Sequence, residues 1–104
     1  MELERNREYH VYGTVTNLST AGGTPIAATL KTLFAAMLGG WGVMASAYSN
    51  VVNYGPGETL VAPAPWPLLV PDEVPPGSTG NIMVYVFDPN NKMVAGASLP
   101  ISVQ

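Results

Sequence analysis

Hydrophobic and polar residues alternate with a period of two over most of this chain, and that spacing predicts strands. Over residues 9–16, Val11, Gly13 and Val15 share one face, while His10, Tyr12, Thr14 and Thr16 share the other. Residues 17–23, Asn-Leu-Ser-Thr-Ala-Gly-Gly, have turn composition. From Trp41, the positions Trp41, Val43, Ala45 and Ala47 alternate with Met44, Ser46 and Tyr48, and this strand extends towards Val52. Its pattern assigns Trp41 to the core. Tyr54-Gly-Pro-Gly57 reads as a turn and residues 58–62 as a short strand. Prolines at 63, 65 and 67 lack an amide donor, so that stretch fits a sheet edge or an extended strap. Residues 71–80 read as a loop. Residues 81–87 are apolar on both faces, with Ile82, Val84 and Val86 against Met83, Tyr85 and Phe87, which places that strand centrally in a sheet. Asp88-Pro-Asn-Asn-Lys92 is a hairpin loop. The return strand, 93–103, sets Ala95, Ala97, Leu99, Ile101 and Val103 on one face.

One segment satisfies two periods. Thr24-Pro25 looks like an N-cap followed by proline at the first helical position. Ile26, Leu30, Leu33, Phe34, Met37 and Leu38 recur at helical spacing, and Gly39-Gly40 stands where a helix would stop. The same residues as a strand would place Ile26, Ala28, Leu30, Thr32 and Phe34 on one face. Local propensity favours a helix over 25–38; the surrounding strands favour the alternative.

Composition sharpens this picture. The 104 residues make one domain of mostly β class, with a charged arm over 1–8 and a single β domain over 9–104. Charged residues are 11% of the chain, and beyond Glu8 only Lys31, Glu58, Asp72, Glu73, Asp88 and Lys92 carry charge. A folded chain of this mass exposes about 5,600 Å², or roughly one of these charges per 900 Å². So sparse a surface is either neutral and polar, built from Ser, Thr, Asn, Gly and Pro, or covered in part by a partner or by further copies of the chain. Net charge is −3 with no basic cluster, which argues against nucleic acid as a partner. There is no cysteine, so thiol catalysis and thiolate metal sites are excluded. The uncharged run 32–57 is broken by Gly39, Gly40, Gly42 and Ser46 and reads as core, not as a membrane span. No apolar leader follows the charged start.

Gly13-Thr-Val-Thr-Asn-Leu-Ser, followed by Gly23-Thr-Pro-Ile-Ala-Ala-Thr, resembles the opening of prokaryotic immunoglobulin-like and transthyretin-like surface modules. Tyr54-Gly-Pro-Gly-Glu-Thr-Leu60 is similar to the turn before their middle strand, and Val86-Phe-Asp-Pro-Asn-Asn-Lys-Met-Val94 to their closing hairpin. The likeness touches about a third of the chain, and the helix-like segment departs from it. It implies that residues 9–104 form a single antiparallel β-sandwich domain, placed outside the cell, on its surface or in a virion. Such modules serve adhesion, binding, spacing or assembly, and fold does not choose among these.

Little in the chain carries chemistry. His10 is the single histidine and has no cysteine to work with, so no enzyme and no cofactor are expected. Asp88, Asn90 and Asn91 offer oxygen ligands for calcium, with Asp72 and Glu73 as further donors, although Asp-Pro-Asn-Asn makes a turn by itself. Trp66, between prolines, with Tyr54 and Tyr48, forms the candidate ligand-binding set, suited to stacking on a sugar. Asn17-Leu18-Ser19 fits the N-glycosylation pattern. The leading expectation is therefore a structural or assembly domain of a virion, filament or cell surface, with itself or another protein as partner. The alternative is a ligand-binding module, with carbohydrate as the ligand.

Overall fold

The computed structural model describes residues 1–104 except the side chain of Met44, so the face expected for that residue, shared with Ser46 and Tyr48, lies outside what is described. The strands are β1 (Glu2–Leu3), β2 (Glu8–Tyr9), β3 (Tyr12–Thr16), β4 (Thr20–Ala21), β5 (Thr24–Pro25), β6 (Ala28–Leu38), β7 (Gly42–Tyr54), β8 (Thr59–Pro63), β9 (Leu68–Leu69), β10 (Thr79–Phe87) and β11 (Met93–Val103). None of the described residues is helical.

The helix expected over 25–38 is corrected. Ala28–Leu38 is a strand, paired antiparallel with β7 on one side and β10 on the other. Leu30, Thr32, Phe34, Ala36 and Leu38 are buried on its inner face, so the period-two reading is the one the fold uses. Helix propensity differs among these residues by less than about 1 kcal/mol each, and a strand flanked on both edges outweighs that. Thr24-Pro25 is not a cap. It closes a small hairpin in which Thr20 pairs with Pro25 and Ala21 with Thr24. Gly22 and Gly23 form its tip with φ of 58° and 81°, the conformation a two-residue primed turn demands.

The principal sheet runs β1-β11-β10-β6-β7. As its two apolar faces require, β10 lies in the middle. Every pairing is antiparallel except β1 with β11. A narrower ribbon covers one face of this sheet. In it, β3 pairs with β8 and β2 with β9. Between these pairs Ala64 N–H donates to the Val11 carbonyl at 2.8 Å, so the proline strap keeps the two chains together. As the alternation predicts, Gly13 and Val15 turn inward and Tyr12, Thr14 and Thr16 outward.

Two buried clusters fill the space between the layers. One joins Leu3, Ala36, Leu38, Leu68, Val70, Val74, Ile82, Ile101 and Val103. The other joins Val15, Leu30, Phe34, Tyr54, Ala62 and Val86. Residues 1–8 are thus not a detached arm. Leu3 is fully buried, Ser102 N–H donates to the Met1 carbonyl, and Asn6 N–H donates to the Val70 carbonyl. Trp41 corrects in the other direction: it sits at the β6–β7 turn and is exposed, because the bend at Gly40 and Gly42 carries it past the core. The molecule measures 51 × 20 × 20 Å, and its radius of gyration of 15.6 Å exceeds the value of about 13 Å for a chain this long.

Candidate interaction surface

The outer face of the principal sheet is built from cross-strand rows. Val51, Lys31, Phe87 and Met93 form one row, and Tyr48, Leu33, Tyr85 and Gly96 the next. Ser46, Ala35, Met83 and Ser98 form a third. An antiparallel sheet with one solvated face ordinarily turns polar residues outward. Here the first two rows are largely apolar and aromatic, the third has Ser46 and Ser98 at its ends, and Lys31 is the single charge of the three. Val43, Tyr48, Val51 and Met93 on this face are all more than half exposed. The Tyr48 and Phe87 rings meet edge to face at 6.0 Å, and the Lys31 ammonium lies 4.4 Å from the Tyr48 ring centre. Tyr85 lies across Gly96, where an added Cβ would touch its ring at 3.0 Å.

The inner face of β11 is also incompletely covered. Ile101 and Val103 are buried, whereas Ala95, Ala97 and Leu99 on the same face are exposed. A two-stranded ribbon cannot span a five-stranded sheet. The gap is an open groove of about 440 Å³ between β3 and β11, lined by Val15, Leu30, Val84 and Val86.

The aromatic set expected from sequence is not brought together. Tyr54, the last residue of β7, turns inward and is 2% exposed, because it opposes Ala28 on the covered face. Its hydroxyl is held above the ordinary tyrosine range, first by burial and then by the Glu58 carboxylate. Trp66 is half-buried and packs against both clusters, with its indole N–H facing no acceptor. Of the three, Tyr48 is the exposed one, on the outer face beside Phe87 and Lys31.

Several of the oxygen donors proposed for calcium have partners within the protein. One Asp88 carboxylate oxygen accepts from the N–H groups of Asn90 and Lys92, both at 2.9 Å. The Asn91 amide oxygen accepts from the Lys31 ammonium at 2.7 Å. Asp72 is engaged by Asn6, and among the described residues no group of three or more His, Cys, Asp and Glu converges. The glycosylation reading of Asn17 is corrected as well. Asn17 is 1% exposed, and its Nδ2 donates to the carbonyls of Ile26 and Gly55 at 2.9 and 3.0 Å. The outer sheet face was missed as a site from sequence. The signal present was the apolar second face of 81–87.

No family model matches the chain, and no curated protein matches it. Among solved structures the chain is similar to part of Pseudomonas fluorescens alkylpurine DNA glycosylase AlkC bound to DNA containing an abasic site analog. The TM-score is 0.57 at 13% identity, over 97% of this chain and 27% of that chain. At that identity the likeness shows the fold alone. The chain spans about a quarter of the glycosylase's length.

Proposed function

We propose that this chain is a non-catalytic structural or assembly domain, of the immunoglobulin-like or transthyretin-like sandwich class, that works by packing against protein. A virion, a filament or a cell surface is the setting this reading favours. The observation that carries it is the outer face of the principal sheet. Tyr48, Leu33, Tyr85, Phe87 and Val51 stand there with Lys31 as the only charge. Leaving such a face in water forgoes about 25 cal/mol for each Å² of apolar area that a partner would cover. The glycosylase similar in fold is a DNA enzyme, but four basic residues and a net charge of −3 supply no comparable footprint, so nucleic acid is not part of the proposal.

Molar mass by light scattering over a wide concentration range tests it. A mass rising with concentration, or fixed at a multiple of 10.9 kDa, supports assembly. A mass of one chain throughout sends the reading to a different protein as partner. Carbohydrate binding is the second reading, and Tyr48 is what favours it. That reading requires a glycan to perturb tyrosine fluorescence and Tyr48→Ala to abolish the effect.

A further inference from the structure

We infer that the free edge of β3 takes up an extended strand of a different protein, which joins the ribbon and fills the groove beside it with alternate apolar side chains. This surface is separate from the outer face of the sheet. The ribbon's own hydrogen bonds fix which groups are free. Asn17 N–H donates to the Glu58 carbonyl at 2.9 Å, and Ala64 N–H to the Val11 carbonyl at 2.8 Å. Odd-numbered residues along β3 therefore turn their backbone groups towards β8. By the two-residue period, Thr14 and Thr16 turn theirs the other way. Among the described residues no strand pairs with β3 on that side. The edge belongs to the ribbon, a layer apart from the sheet that holds β1 and β11.

The other edge of the ribbon is closed by proline. On β8 the same period turns the backbone groups of Thr59, Val61 and Pro63 outward, and Pro65 holds the next such position. Proline has no N–H to give an incoming strand. The groove on that flank, about 320 Å³ between β7 and β8, is lined by both prolines. The β3 edge has no such guard. From Tyr9 to Gly23 the chain holds no proline, lysine, arginine or carboxylate.

The groove beside β3 sets the chemistry of the occupant. Leu30, Val84 and Val86 form its floor, and Ala95 and Ala97 its far wall. Its volume of about 440 Å³ lies within the range of about 300–1,000 Å³ that bound ligands fill. A strand placed about 4.8 Å beyond β3 sends every second side chain down into this space. No residue lining the groove is charged. An ionised side chain entering it would lose its water and gain no partner, so the inward positions are apolar. Gly13 lies against Val84, and Val15 packs in one cluster with Val86, so β3 runs the same way as β10. An added strand antiparallel to β3 therefore starts beside Leu18 and Val94. Lys92 stands two residues before Val94, and the ion pair among the described residues is Arg7 with Glu4. A carboxylate at the start of the added strand would complement Lys92. A second copy has no spare strand to supply, because each described strand is paired within its own chain. The donor is thus a different protein, through a segment that is acidic at its start and then alternately apolar.

The probe is a displayed library of strands of about eight residues, selected on the whole chain. Each member starts with aspartate, carries Ala, Val, Leu, Ile or Phe at even positions, and has threonine at the remaining odd ones. A library of the same composition with the alternation scrambled is the control. The expected result is enrichment of alternating members over scrambled ones. The best member, synthesised, slows hydrogen exchange at the Thr14 and Thr16 N–H groups at least about tenfold. N-methylation of that peptide at residues of one parity weakens binding at least about tenfold, and at the other parity leaves it unchanged. Thr14→Pro removes one outward N–H and keeps the β3–β8 ladder. Ala95→Phe fills the groove from its exposed wall. Each variant weakens binding at least about tenfold with the parent's melting curve. Equal effects of N-methylation at both parities, or full binding to Ala95→Phe, overturn the β3 edge. Protection of Thr14 and Thr16 that grows with the concentration of the chain alone gives the edge to a second copy and overturns the different protein. No enrichment over the scrambled library overturns the inference and leaves the outer face, tested by molar mass, standing.

Discussion

Asn17 is the perturbation from which most can be worked out. It lies directly after β3, and its side chain holds three segments together. Nδ2 donates to Ile26 and Gly55, and Oδ1 accepts from Ser19 N–H at 3.0 Å. The small β4–β5 hairpin and the turn before β8 are therefore tied to the end of β3 through one amide. Asn17→Ala deletes three neutral hydrogen bonds, each worth about 1 kcal/mol net. Water reaches Ile26, which is exposed, so the expected loss is about 2–3 kcal/mol. For a domain of this size that lowers Tm by roughly 10–20 °C. Urea unfolding followed by tryptophan fluorescence gives the free energy directly. Asn17→Asp separates the donor role from the acceptor role. The introduced carboxylate keeps the Ser19 bond but faces two carbonyl oxygens, which raises its pKa above the unfolded value. Its neutral form can donate to one of those carbonyls. The contribution is therefore present at acid pH and lost as pH rises through the folded pKa, so Asn17→Asp unfolds more easily at pH 7 than near pH 4 relative to the parent. An alanine variant within about 0.5 kcal/mol of the parent, or an aspartate variant with no such pH dependence, would refute the reasoning.

Three further outcomes are expected. Gly80 lies between β6 and β11, and a Cβ there would overlap the Met37 carbonyl and sit 2.8 Å from Leu38 Cα; Gly80→Ala is expected to cost about 3 kcal/mol or more by urea midpoint. Thr32 is buried with its hydroxyl unpartnered, so Thr32→Val is expected to raise stability by about 1 kcal/mol in thermal melts. Because Tyr54 has a raised folded pKa, its contribution is complete below about pH 10, the unfolded value, and lost as pH rises through the folded one. Tyr54→Phe is expected to flatten that alkaline decline in a series of denaturant titrations.

What the sequence disclosed was what short periods decide. Residues 81–87 and 93–103 could be paired and oriented from alternation alone, and the two-sided apolar face of the first identified the middle of the sheet. The segment 28–38 was not decidable in this way. Its Leu, Phe and Met positions satisfy a period of 3.6 and a period of two together, and the choice is made by β10, far along the chain. Side-chain exposure was less legible still. Tyr54 and Tyr48 lie on one strand, six residues apart, and an even spacing would ordinarily give them one face. A register shift between Lys31 and Leu33 adds a residue to β7 between them and sends Tyr54 inward and Tyr48 outward. Leu3 looked like part of a charged lead because four of the next five residues carry charge; its burial follows from a parallel pairing with residue 103 that no local signal announces.

The edges of the two layers are finished in different ways. On the outer strand of the ribbon, Pro63, Pro65 and Pro67 have no N–H to offer, so that side cannot template another strand over the strap. Along β7 the two bulges perform the same office by twist. β1 covers the last residues of β11 and buries Leu3 in doing so. Each of the three devices hinders strand addition at the edge it serves. Met93–Pro100 escapes all three: it is uncharged, straight in register beyond Val94, and exposed on both faces.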